Sequence, residues 1–463
     1  MNRTSCVVAL AALMLSIPAA VLAQPYKMQP EKKAPERKAP TESVAELEKK
    51  AIQAYEDGSW VRFYAANSKL HAQRPFTPDY MINIVLAAAS LERRTTAYHY
   101  MLQLQQQGYS VDFNGFEQTG PVRGTEAYDY INDLLIKAGD PVGEGTTLFT
   151  LEDVRPSDLG DVAWDSTRER FLVGTRAAGR LLAVDDEGGA ELLLEANEEN
   201  GLWSIDGIAV DPARNRLWIA SSASPAFSDY SPADAHRGAL FGFELDSLEP
   251  AGRFNLPADP YQHELGAVAV GGAGEIYVID RATPIIYRKA ADGDRLEPFA
   301  GGPQFVALTD VAVTPDNSRV FVSDAVLGIL AVDPAARRSA MIAGPDTLNL
   351  YGIYGLQFSA GSLVVTQSGF SPQRIVRLEL NADGATVDNI VPMASALEAF
   401  DMPGVGTLRG DKLYYFANHG STNEEGGVRM MSTPLDSGEA ITPPDMRQFE
   451  EALKQATERA ARQ

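Results

Sequence analysis

The sequence predicts a mainly β fold, a six-bladed β-propeller preceded by a small α-helical, tetratricopeptide-like domain. Two observations carry this. A strand–turn–strand unit recurs six times between residues 147 and 435, and residues 42–140 ahead of it follow a helical period instead. The clearest copy is Ile205-Asp206-Gly207-Ile208-Ala209-Val210-Asp211-Pro212 followed by Arg216-Leu217-Trp218-Ile219-Ala220-Ser221. Its first strand is small and apolar, so a neighbouring backbone can come close. The Asp-Pro-Ala-Arg-Asn turn suits a chain reversal. The second strand is rich in β-formers, with Trp218 as a large packing surface.

Taken in order, residues 1–23 read as a secretion signal. Arg3 supplies a positive start, Val7 to Leu15 an apolar core, and Val21-Leu22-Ala23 a small-residue cleavage site near Ala23. The apolar run is too short to anchor in a membrane. The only cysteine, Cys6, lies inside this signal, so disulfides, thiol catalysis and cysteine–zinc sites are not expected in the mature chain. The expected location is periplasmic or secreted. Residues 24–41, rich in Pro, Lys and Glu, read as a disordered linker.

Helical signals follow. Val44, Leu47, Ala51 and Tyr55 form one apolar stripe, with Ser43 and Glu46 at capping-box spacing. Further helices are expected over Trp60 to His71, from Thr77-Pro78 through Ala88, over Ala97 to Gln107 up to Gly108, and over Gly124 to Ala138. The spacing of Val44 and Tyr80 is close to the helix-pair length of tetratricopeptide-like repeats. This domain serves either as a structural cap on the ring or as a groove for a partner.

The propeller is expected over residues 145–435. Aligned on Asp206, the repeat anchors fall at Gly160, Asp206, Gly266, Thr309, Tyr354 and Pro403, a period of about 45 residues of the kind propeller blades show. Thr147 to Leu151 precedes the first anchor and is expected to complete the last blade and close the ring. The long second spacing implies an insertion of about 14 residues near Ala223 to Arg237, carrying Tyr230, in the position of a lid or specificity loop. Residues 436–463 form a tail with a charged helix from Asp445.

The net charge of −22 argues against nucleic acid or anionic lipid as a partner. No phosphate-binding loop, His-Glu-x-x-His or Gly-x-Ser-x-Gly motif is present. In an antiparallel blade, the start of the first strand and the end of the second share a face. One mouth of the ring therefore collects Asp161, Asp206, His263, Glu264, Asp310 and Tyr354, together with Asp280, Asp324, Gln367, Asn418 and His419. Converging carboxylates suit a hard cation such as calcium, or supply a general base. The candidate metal ligands are Asp161, Asp206 and Asp310, the candidate base is Glu264 or His263, and the candidate ligand contacts are Tyr354, Gln367, Asn418, His419 and Tyr230. Asp280 and Asp324, just after strands, are expected to cap turns instead.

The repeats Asp206-Gly207-Ile208-Ala209-Val210-Asp211-Pro212 and Thr309-Asp310-Val311-Ala312-Val313-Thr314-Pro315-Asp316 resemble the gluconolactonase and senescence-marker-protein family of six-bladed propellers. The resemblance covers about residues 147 to 435. It implies one divalent metal on the axis, usually calcium, and hydrolysis of sugar lactones or related esters. It also implies metal ligands that this chain does not present in register. The family's first-blade Glu falls at Gly160, its mid-ring Asn at Gly266 and its later Asp at Thr309, and Asp161 and Asp310 would substitute only by a one-residue shift. The helical half-repeats lie outside that core family and look like an extension seen on some exported bacterial relatives. Two readings follow. One is a propeller with a degenerate metal site that binds a small molecule or protein at its mouth, with a possible partner on the helical domain. The other is a divergent calcium-dependent lactone or ester hydrolase.

Overall fold

The computed structural model describes residues 42–257, 259–302 and 305–441. The expected signal, linker and tail helix lie outside the described residues. Five α-helices come first: α1 (Val44–Glu56), α2 (Trp60–Gln73), α3 (Pro78–Ser90), α4 (Arg94–Gln106) and α5 (Glu126–Lys137). Each packs on the next. Their apolar stripes close two small cores, one on Leu47, Phe63 and Leu70, the other on Met81, Val85, Met101 and Tyr128. The Thr125 hydroxyl accepts from the Tyr128 N–H at 3.1 Å and caps α5, whereas Thr77 precedes α3 without a side-chain cap. No helix among the described residues is long and apolar enough to cross a membrane.

Six four-stranded antiparallel sheets follow. Five are built from consecutive strands. The sixth takes Gly406–Arg409, Lys412–Phe416 and Val428–Pro434 and is completed by Thr146–Leu151 from the start of the propeller. The ring is thereby closed by its own first strand, and no blade is left to seal the seam alone. The innermost strands are Leu159–Asp165, Ser204–Asp211, Leu265–Val270, Leu308–Val313, Ile353–Ser359 and Gly406–Arg409.

The small residues at the repeat anchors have a packing cause. The pairing register slips beside Gly160, Asp206, Thr309 and Tyr354 and between Leu265 and Val268, so five of the six innermost strands bulge where they enter their blades, and Gly406–Arg409 does not. A side chain at Gly160 would run into the Ile205 carbonyl of the next blade, and one at Gly207 into the Gly266 carbonyl. Gly160→Ala is therefore expected to cost about 2 kcal/mol or more by overpacking. Gly115→Ala, where nothing lies within 4 Å of the added carbon, is the neutral control. Urea denaturation of the two variants checks this.

The helices and the propeller belong to one compact unit that begins at Val44. They meet at blade 5, on the loops before its first strand and after its second. The Asn349 amide donates to the Phe76 carbonyl at 3.0 Å and to Gln107 Oε1 at 2.8 Å. The Ser110 N–H donates to the Ser371 carbonyl at 2.7 Å. Phe76 packs into the core between blades 4 and 5, and Tyr109 meets Phe370 edge-on at 5.1 Å. Arg374 is buried at the centre of this contact. It donates to the Gln107 carbonyl at 2.9 Å and to Gln367 Oε1 at 2.8 Å, and its guanidinium lies 3.8 Å from the Phe370 ring centre. The helical domain is thus fixed on the mouth side of the ring.

Candidate functional site

The mouth holds a cavity of about 740 Å³. In blades 1 to 5 the second strand ends in a polar residue that the fold consumes. Asp280 Oδ1 accepts from the N–H groups of Glu264, Ala282 and Thr283, and Asp324 serves four N–H groups in the same way. These two act as the turn caps expected of them. Gln367 donates to the carbonyls of Asn349 and Tyr351, and Asn418 bonds Gly427 and Arg429. Gln367 and Asn418 are buried and committed to backbone partners, so they are not the ligand contacts expected of them.

The next residue along reaches the cavity in blades 1, 3 and 5. At the six repeats that position carries Arg176, Ala223, Arg281, Ala325, Ser368 and Ala417. Only blades 1 and 3 place a charge there, and both guanidiniums line the cavity. Between them, on the bulge of blade 2, lies Asp206. Its Oδ1 sits 2.8 Å from Arg176 Nε and 3.7 Å from Arg281 Nη1, and its Oδ2 accepts from the Ser204 hydroxyl at 2.6 Å. The Arg176 Nε–H is buried but not aligned on the carboxylate, so the contact is ionic. Among the described residues neither guanidinium donates an aligned hydrogen bond. Glu264 stands 3.9 Å from Arg281 at the rim, a third exposed.

His419 and Tyr354 line the same cavity, as expected. Burial, reinforced by Arg176 and Arg281, pushes the His419 pKa down to about 3, so the imidazole is neutral. Its Nε2 faces the Leu159 carbonyl at 3.3 Å. On the far side the wall is apolar, formed by Val306, Ala307 and Leu308 of blade 4 and Met402, Pro403 and Val405 of blade 6.

The other expected site residues lie elsewhere. His263 does not face the cavity. It is fully buried, with Nδ1 2.5 Å from Asp280 Oδ2 and Nε2 3.0 Å from Asp259 Oδ1. Burial alone would lower its pKa, but the two carboxylates outweigh that and raise it. Of the two candidate bases, His263 is a buried ion-pair centre away from the cavity, and Glu264 lines the cavity at its rim. Tyr230 is not in the cavity wall either. The insertion is pinned at both sides, by the Ser228 N–H on the Ala177 carbonyl at 2.8 Å and by the His263 N–H on the Ala235 carbonyl at 3.0 Å. It bridges blades 1 and 3 and is held by backbone bonds at each end.

The expected calcium ligands do not assemble. Asp161 and Asp310 occupy equivalent positions in blades 1 and 4, where the other blades have Gly207, Ala267, Gly355 and Gly406. Each carboxylate accepts from its neighbour's N–H and from the innermost strand of the next blade. Asp161 takes Val162 and Ile208, both at 2.8 Å, and Asp310 takes Val311 and Leu356, both at 2.7 Å. They staple blade 1 to blade 2 and blade 4 to blade 5 beside an axial cavity of about 250 Å³. Burial raises their pKa values to about 7 and about 8, that of Asp310 further through Asp161. Asp206 already faces two cations. Among the described residues no group of three or more His, Cys, Asp or Glu side chains is placed to hold a metal ion. This donor set does not fit calcium.

No protein-family model and no curated protein sequence matches the chain. Many solved structures share its ring. The PQQ-bound aldose sugar dehydrogenase of Streptomyces coelicolor is 16% identical, covers 64% of this chain and 99% of its own, and has a TM-score of 0.44. A gluconolactonase of Xanthomonas campestris is 15% identical over 63% of this chain and 89% of its own, with a TM-score of 0.41. A luciferin-regenerating enzyme is 11% identical over 65% and 97%, with a TM-score of 0.46. At such identities the likeness is one of shape. Fold and site together define the class: a six-bladed propeller with a helical domain at its mouth and an arginine-lined pocket on its axis.

Proposed function

We propose that this chain is an exported, non-catalytic binding protein whose propeller mouth takes a small ligand. Export rests on the signal pattern of residues 1–23. The observation that carries the binding reading is the cavity itself. It is concave, lies on the axis, and offers a few convergent polar groups that the fold does not consume, in front of an apolar wall. Most other polar side chains around the ring are spent on turns and on neighbouring blades. The helical domain docks beside the mouth on blade 5, held there through Arg374.

The test is a thermal-shift screen of small-molecule classes against the wild type and against Val306→Trp. Val306 is 42% exposed and lines the cavity, so the larger ring fills the mouth without disturbing the core. Compounds that raise the melting temperature of the wild type and leave the variant unmoved support the reading. Compounds that stabilise both equally place the binding elsewhere and overturn it. A ligand at a hundredfold excess over its dissociation constant stabilises by about 2.7 kcal/mol, a shift of a few degrees.

A further inference from the structure

The geometry points to the class of ligand: a monocarboxylate with an apolar body, its acid group held between Arg176 and Arg281. This rests on the reading of the mouth as a binding site. It is carried first by the repeat pattern. Of the six residues that follow the second strands, three line the cavity, Arg176, Arg281 and Ser368, and the two arginines flank one blade. A propeller gains no packing from two half-buried guanidiniums at 22% and 20% side-chain exposure. Each presents a planar fork of N–H donors that fits a carboxylate edge, and none of these donors is aligned on a partner among the described residues.

Charge sets the count. Two guanidiniums face one buried carboxylate, Asp206, so one positive charge is left for the ligand. The neutral His419 adds none. Glu264, a third exposed, and the exposed Glu424 also line the cavity and are screened by solvent. A single carboxylate balances this site, whereas a phosphate dianion leaves a charge unpaired.

Shape sets the rest. Opposite the arginines the wall is Val306, Ala307, Leu308, Met402, Pro403 and Val405. A sugar would set its hydroxyls against that wall with nothing to bond. An alkyl or aryl body would bury there, at up to about fourfold in affinity for each added methylene.

The experiment is calorimetric titration at physiological salt with octanoate, octanamide, octyl phosphate and glucose as probes. Octanoate is expected to bind at least about tenfold more tightly than octanamide, which has the same shape without the charge. Arg281→Gln should abolish that preference while octanamide binding stays. This single variant keeps the Arg176–Asp206 pair and so protects the fold, and an unchanged melting temperature confirms that it does. Shortening the chain to hexanoate should weaken binding, and Arg281→Lys should recover only part of the preference.

Four outcomes overturn the inference. If octanamide matches octanoate, the arginines do not select an acid. If octyl phosphate binds more tightly in an Arg281-dependent way, the site takes dianions. If glucose alone binds, and Val306→Trp abolishes it, the mouth binds ligands but of a neutral class. If no probe binds and the thermal-shift screen is also blank, the binding reading falls with it.

Discussion

Replacing Arg374 by alanine is expected to destabilise the protein by about 3 kcal/mol and to loosen the helices from the ring. The side chain is buried between the two, and among the described residues it has no carboxylate partner. Burial without a counter-charge drops its pKa to about 9, so it remains a cation in neutral solution. Its removal leaves Gln367 Oε1 and the Gln107 carbonyl without their donor, at about 1–3 kcal/mol each, and forfeits the contact with Phe370. The desolvation that the cation no longer suffers offsets part of this. Arg374→Met, which fills the space without a charge, should cost less. Urea unfolding in a Trp60→Phe background, which leaves Trp164, Trp203 and Trp218 as the only tryptophans, followed both by far-ultraviolet circular dichroism, for the helices, and by tryptophan fluorescence, for the blades, measures the effect. Coincident transitions in the wild type should separate in Arg374→Ala. Coincident transitions at an unchanged midpoint would show that the docking does not depend on this residue.

Raising the pH should weaken the ring through Asp161 and Asp310. Both carboxyls ionise near the ordinary value of 3.8 in the unfolded chain, but only at about 7 and about 8 when folded. Between those limits the folded state holds more protons than the unfolded state, so stability falls as pH rises. The contribution is complete below pH 3.8 and lost above about pH 8. Because the two carboxyls share one channel, the pair is expected to lower stability by on the order of 5 kcal/mol between about pH 5 and about pH 9. The Asp161→Asn, Asp310→Asn double variant should start less stable, since an amide offers one acceptor where each carboxyl serves two N–H groups. Its stability should vary less with pH by the same margin. Denaturant midpoints across that range decide it: parallel slopes in the two proteins would contradict the assignment.

The architecture was legible because its causes are local and repeated. Gly160, Gly207 and Gly355 are small because another blade's backbone abuts them, in blades 1, 2 and 5. Closure by Thr146–Leu151 was legible for the same reason, since a strand ahead of the first repeat has only the last blade to pair with. The site was harder to read. Acidic residues near the axis suggested a metal, yet Asp161 and Asp310 are taken up by backbone N–H groups of the next blade. Blade-to-blade distances do not show in a linear sequence, so stapling and ligation look alike there. Arg176 and Arg281 were missed, although a signal was present. Compared across repeats, the residue after the second strand is arginine in blades 1 and 3 and small in the other four, and only an alignment of all six copies exposes it. The docking of the helices was not legible at all, because Asn349 and Gln107 are far apart in the chain and meet by packing alone.

The most direct test of the central claim, that the mouth binds a small ligand, is the location of a bound probe. A crystal of the protein soaked with a bromine-tagged alkanoate reports this through the anomalous signal of the bromine. The account predicts one bromine site against Val306, Met402 and Val405, with the carboxylate within hydrogen-bond reach of Arg176 and Arg281. Bromine found only in the axial cavity beside Asp161 and Asp310, or on the helical domain, would contradict it.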